Sequence, residues 1–339
     1  MQMRTVGLII LGLLIIWFVY LSRSILTPFI LAAIFAYILN PVIAFFSDRT
    51  KLNRVYFIIL LYIVFFALLG WIGTFITGKI IFEVRELGGE SQLLLRNAES
   101  FIATLPFWLQ GYGREALVSV QEAFTIEPGA IVPIFSGAAS RLFATITFLF
   151  ASFYMLKDGS KFVDGLLLFF PGERKLEAEI LLRRINAILG NYLRGQLALV
   201  LLMATFGFII FSFLGVRFSL LLGLLIGFAE IVPMIGPIIA GVVVTLVSMF
   251  DGVSGFGLPP VYDGLLVVGA YIILNQIENY IVIPQVMGRI TNLHPLIIFF
   301  SVLAGGNLFG ILGFILAVPV AASLRIILEY WLDRLSSSK

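Results

Sequence analysis

The chain has no cysteine, which excludes disulfides, thiolate metal sites and cysteine nucleophiles. It has one histidine, His294, so a multi-histidine metal centre cannot be assembled. Charge is scarce: 12% of the 339 residues are Asp, Glu, Lys or Arg, against about 25% in a soluble domain. The net charge of +3 gives no footprint for nucleic acid. No HExxH, GxSxG, P-loop or paired DxD pattern occurs. Enzyme and ATP-driven pump are therefore not the expected classes, and neither a cofactor nor a metal is expected.

What the chain has instead is apolar length. Hydrophobic residues make up 60% of it, and its mean hydropathy is +1.09. Too little polar surface remains to keep a soluble fold dispersed, so the natural unit is a span of about 20 apolar residues crossing roughly 30 Å of hydrocarbon. The first runs are Val6–Leu21, Ile25–Phe46 and Val55–Thr77. The first of these, with Arg4 before it, is read as a span rather than a signal peptide, because no small-residue cleavage site follows and another apolar run begins at once. Leu142–Leu156 and Leu197–Leu214 are further spans.

Residues 79–138 differ. Lys79–Ser136 holds seven Glu against four Lys or Arg, punctuated at Gly88-Gly89, Pro106, Gly111-Tyr112-Gly113 and Pro128-Gly129. The expectation is a small extracytoplasmic insertion of short amphipathic helices, between an N-terminal region of three spans (1–78) and a C-terminal transport core (139–339). Within the core, Leu176, Ile180, Leu181, Ile185 and Leu189 share a helical face opposite Arg174, Lys175, Glu177, Arg183 and Arg184. That pattern predicts a membrane-surface helix over 173–192 on the cytoplasmic side. Arg194 then stands where this helix turns into the next span.

Two apolar segments are the wrong length or composition for one straight crossing. Phe218–Phe250 is interrupted by Glu230-Ile231-Val232-Pro233-Met234-Ile235-Gly236-Pro237, and Pro295–Leu328 by Gly305-Gly306-Asn307 and Pro319. Prolines remove backbone donors and favour a break. Both are read as broken or re-entrant hairpins, in preference to full crossings. The fold class predicted is thus all-α, polytopic, with about seven or eight spans. Loop Lys and Arg set orientation. They place both termini in the cytoplasm and 79–136 outside.

Two carboxylates lie in apolar surroundings: Glu230 at the first break, and Glu278 within Gln276-Ile277-Glu278-Asn279 on the run that ends at Pro284. An ionisable group in hydrocarbon costs several kcal/mol and survives beside a cavity or a partner. Opened backbone at Pro233, Gly236 and Pro237 would free carbonyl and amide groups for a solute or ion. The candidate pathway is therefore Glu230, Pro233, Gly236, Pro237, Gln276, Glu278 and Asn279. The alternative is that the carboxylates lock helices together through Asn275, Asn279 or free backbone donors. Arg194 and His294 are further candidates, against headgroup anchoring for the first and a structural role for the second. Gly223 and Gly227, and Gly306 and Gly310, have GxxxG spacing; with Gly305, Pro284 and Pro319 they are expected hinge or packing positions.

Several short motifs recur together along the chain. They are Phe153-Tyr154 with Lys157-Asp158-Gly159, Tyr192-Leu193-Arg194-Gly195-Gln196, and Glu230-x-x-Pro233-x-x-Gly236-Pro237. Further on come Gln276-x-Glu278-Asn279, Pro284 with Met287-Gly288, His294-Pro295, Gly305-Gly306 and Ala317-Val318-Pro319. In this order they make the chain resemble the autoinducer-2 exporter family of bacterial permeases. The resemblance implies a homo-oligomeric permease of the bacterial inner membrane. It also implies one of two activities: export of the signal autoinducer-2, a small polar furanone derivative, or sodium or lithium/proton antiport. The partners expected are therefore a small polar solute or a monovalent cation with protons, membrane lipid and further copies of the chain. A non-transporting scaffold or receptor, with 79–136 as its external binding element, is the other class of function.

Overall fold

The structure is a computed structural model that describes residues 21–50, 52–104, 138–170, 172–251, 260–287 and 293–337, with a few isolated positions besides. Most of the first expected span, most of the punctuated stretch from Pro106 to Ser136, the middle of the 251–263 loop and Gly288 lie outside the described residues. Among those described there is no strand, and the protein is all-helical. The helices are α1 (Arg23–Thr50), α2 (Arg54–Thr104), α3 (Ala138–Leu167), α4 (Glu173–Phe213), α5 (Ser219–Ala229), α6 (Ile235–Asp251), α7 (Pro260–Ile277), α8 (Pro295–Phe309) and α9 (Ile311–Ser337). After Ile277, α7 continues through a π-helical turn, Glu278–Val282, and a last α-turn, Ile283–Val286. Among the described residues, five stretches are long and apolar enough to cross a membrane: 25–50, 54–74, 175–213, 264–286 and 311–334.

Four expectations about helix ends are corrected. First, α2 does not stop near Thr77. It runs unbroken for 51 residues, about 76 Å at 1.5 Å per residue, straight through Gly88-Gly89. Each glycine costs about 1 kcal/mol in a helix interior, and the good helix formers on either side outweigh that cost. Second, no corner separates a surface helix at 173–192 from the following span, because α4 is continuous from Glu173 to Phe213. Third, the second interruption is not at Gly305-Gly306-Asn307, which lie inside α8. It falls at Gly310, whose φ of 60° and ψ of −135° suit glycine alone. Fourth, Pro319 sits within α9, which passes it without ending. The first interruption is where the sequence puts it, at Glu230–Met234 between α5 and α6.

Two compact units make up the chain. One comprises residues 1–63, 138–194 and 290–339. Here α1 packs on α3 around Ala36, Ile43, Ile58 and Leu156, with Phe35, Tyr62 and Phe153 alongside. The Tyr62 and Ser152 hydroxyls are 2.7 Å apart, and Ser152 Oγ donates to the Phe148 carbonyl at 2.7 Å. In lipid, where apolar surface gives no net drive, such bonds and close packing hold helices together. α8 and α9 form an antiparallel hairpin: a Cβ on Gly305 would lie 2.7 Å from the Gly313 carbonyl oxygen, and one on Gly306 would overlap the Phe314 ring at 2.1 Å.

The other unit comprises residues 64–137 and 195–289. Its core gathers Leu199, Met203, Phe211, Phe218, Leu222, Ile226, Val244, Val267 and Leu274. α5 lies directly on α4. A Cβ on Gly223 would come 2.6 Å from the Phe208 backbone nitrogen, and one on Gly227 would come 2.5 Å from the Ala204 Cβ. The GxxxG spacing is therefore used for close approach, as small residues are in membrane helix pairs.

Candidate functional site

The site is built where α5 ends. Pro233 has no amide hydrogen to extend the helix and biases Val232 away from helical geometry. The chain turns instead, with Val232 N–H donating to the Ala229 carbonyl at 3.0 Å and Gly236 N–H to the Val232 carbonyl at 2.9 Å. Met234 takes the turn at φ +69°, strained for a side chain of its size. Gly236 closes it: a Cβ there would stand 1.7 Å from the Ala229 carbonyl oxygen. The interrupted helix leaves the Glu230 carbonyl without its helical donor, and Gln196 on α4 supplies one, its Nε2 donating at 2.6 Å.

Glu278 approaches from α7, at the first residue of the π-helical turn. Pro284 accounts for that turn. Its ring clashes with the carbonyl four residues back and supplies no donor, and a locally widened helix relieves both problems. Glu230 and Glu278 are each 3% exposed, and their carboxyl groups are neighbours. Asn275 Nδ2 donates to Glu278 Oε2 at 3.3 Å. Asn279 Nδ2 braces Asn275, donating to its carbonyl at 2.8 Å and to its Oδ1 at 3.0 Å. Glu230 Oε1 is buried with no hydrogen-bond partner. Two neighbouring carboxylates away from water are stable only with a proton or a cation to offset their repulsion.

Of the pathway residues expected, the structure brings together Glu230, Pro233, Gly236, Pro237, Glu278 and Asn279. Gln276 is exposed, on the flank of α7 away from Glu278. Arg194 and His294 belong to the other unit and have work there. Arg194 Nη1 donates to the Tyr37 carbonyl at 3.0 Å and Nη2 to Asn191 Oδ1 at 2.8 Å. His294 is the N-cap of α8, its Nδ1 accepting from Leu296 N–H at 3.2 Å. Sequence reasoning passed over two members, Gln196 and Tyr271. The Tyr271 hydroxyl donates to the Pro237 carbonyl. The spacing Tyr271-x-x-x-Asn275-x-x-Glu278 puts three polar groups on one helical face, and that was the available signal.

Long apolar helices, glycine-mediated packing and a buried polar cluster at a broken helix define a multi-pass membrane protein of the transporter class. The sequence matches the model for the AI-2E family transporter over residues 7–333, and the chain belongs to that family. It is similar to YrrI of Bacillus subtilis, at 29% identity over 322 residues covering 91% of this chain and 87% of YrrI. It is also similar to the AI-2 transport protein TqsA of Escherichia coli, at 27% identity covering 95% of this chain and 91% of TqsA. YueF of Bacillus subtilis is 25% identical, covering 91% and 84%.

Proposed function

We propose that the protein is a secondary transporter that moves a small polar solute of the autoinducer-2 kind, with the Glu230–Glu278 pair as the point where a driving proton or cation is taken up and released. The observation that carries this reading is the pair itself: two carboxyl groups, 3% exposed, one at a helix break and the other on a π-turn. Such an arrangement costs folding energy, and ionisable groups kept within apolar spans mark ion and substrate pathways. The half-helices α5 and α6, joined at a strained turn, supply an element whose tilt would expose the pair alternately. The TqsA likeness supports a signal-like solute as cargo.

A second reading is favoured by one atom. The unpartnered Glu230 Oε1 and the Glu278 carboxylate are hard oxygen donors suited to Na⁺ or Li⁺. In that case the cation is the cargo and protons return in exchange. Flux in proteoliposomes with imposed proton and sodium gradients separates the two. Gradient-driven movement of autoinducer-2 supports the first, and Na⁺ or Li⁺ flux that acidifies or alkalinises the lumen without added solute supports the second. Absence of both fluxes from correctly inserted protein refutes the transporter reading.

A further inference from the structure

α6 and α7 border an open groove of about 310 Å³, lined by Ile238, Gly241, Val242, Thr245, Val268 and Tyr271 among others. Its walls are apolar except at two places. Thr245 Oγ is spent on the Gly241 carbonyl, to which it donates at 2.7 Å. The other place is Tyr271, the lining residue that shares a helical face with Asn275, the donor to Glu278 Oε2. Tyr271 is held from two sides. Its hydroxyl donates to the Pro237 carbonyl, on the first turn of α6. Its ring lies on Gly241 so closely that a Cβ there would meet a ring carbon at 2.4 Å. The absence of a side chain at 241 therefore makes room for this one ring position.

We propose that Tyr271 is a positioning residue that gates the carboxylate pair from this groove. Closed, with its hydroxyl on Pro237 and its ring on Gly241, it walls the pair off. Released from Pro237, the ring swings away, and the groove opens onto Glu230 and Glu278. The proposal rests on the reading of that pair as the transport site. A simple helix clamp would use the same contacts, but it would change stability without changing how readily a reagent reaches the carboxyl groups.

The test is the rate at which dicyclohexylcarbodiimide, an apolar reagent for protonated carboxyls, modifies Glu230 and Glu278 in the full-length protein in vesicles, read by mass spectrometry. Tyr271→Phe keeps the ring and loses the latch. It should label faster than wild type by about fivefold, the factor one hydrogen bond contributes to a two-state equilibrium. Tyr271→Ala should label faster still. Wild-type rates in both variants overturn the gate, and if Tyr271→Ala fails to insert, the Phe variant alone decides. The two ideas fail separately. Unchanged labelling with transport lost in Glu278→Gln removes the gate and keeps the site; altered labelling with full transport in Glu278→Gln does the reverse.

Discussion

Pro41, inside α1, has no amide hydrogen, so the Tyr37 carbonyl four residues back has no helical donor. Arg194 fills that vacancy from α4, as Gln196 does for Glu230 two residues further on. Arg194 is thus committed to a backbone oxygen, and its role is local. Arg194→Ala should destabilise the protein by about 1–3 kcal/mol, the usual cost of a buried polar group left unpaired. In a Pro41→Ala background, where the helix bonds Tyr37 for itself, the penalty should shrink to under about 1 kcal/mol. Thermal unfolding of the four proteins in detergent measures this. Equal penalties in both backgrounds would break the link between the proline and the arginine.

Among elements, the two hairpins use glycine in opposite ways. At Gly236 the backbone geometry is ordinary, and what matters is space, since Ala229 leaves none. At Gly310 nothing lies within 4 Å of a would-be Cβ, and what matters is the dihedral pair. Gly310→Ala should therefore cost about 1–3 kcal/mol through strain alone and leave a folded protein. Gly236→Ala should prise α5 from α6 and abolish yield or transport. Detergent-resistant monodisperse protein, counted by size-exclusion chromatography, distinguishes them.

This contrast also explains what was legible in the sequence. The first break could be read because Pro233 and the Gly236-Pro237 pair withhold donors within a few residues of each other. The second was misplaced because Gly305-Gly306 resembles a break, whereas the glycines there serve contact with Gly313 and Phe314. Composition cannot tell a glycine kept for space from one kept for its dihedrals. Pro319 misled for a related reason: in a long apolar helix one missing bond is absorbed, and α9 continues past it. Of the site, the two carboxylates were legible as charges in oil. Gln196 was not, since its partner is a backbone carbonyl that only the folded turn exposes, and Tyr271 shows only as a polar group in register with Asn275 and Glu278.

For the whole molecule, α4 at 41 residues measures about 62 Å, twice the hydrocarbon thickness, so part of it stands in water. Its charged start meets the charged end of α9. The Tyr330 hydroxyl donates to Glu177 Oε2 at 2.5 Å, and Arg334 Nη1 donates to the same oxygen at 2.8 Å. The beginning of α4 and the end of α9 must therefore emerge on one face of the membrane. The chain contains no cysteine, so single cysteines at Lys175 and at Ser336 can be tested with a membrane-impermeant maleimide. Both should label from the same side, and labelling from opposite sides would refute this arrangement.

The most direct test of the transport site is gradient-driven flux through Glu230→Gln and Glu278→Gln in proteoliposomes, with correct folding checked by melting temperature. Each variant keeps side-chain size and hydrogen bonding but removes a titratable group, so the account predicts flux at the level of empty vesicles for both. Flux at the wild-type rate in either would contradict it.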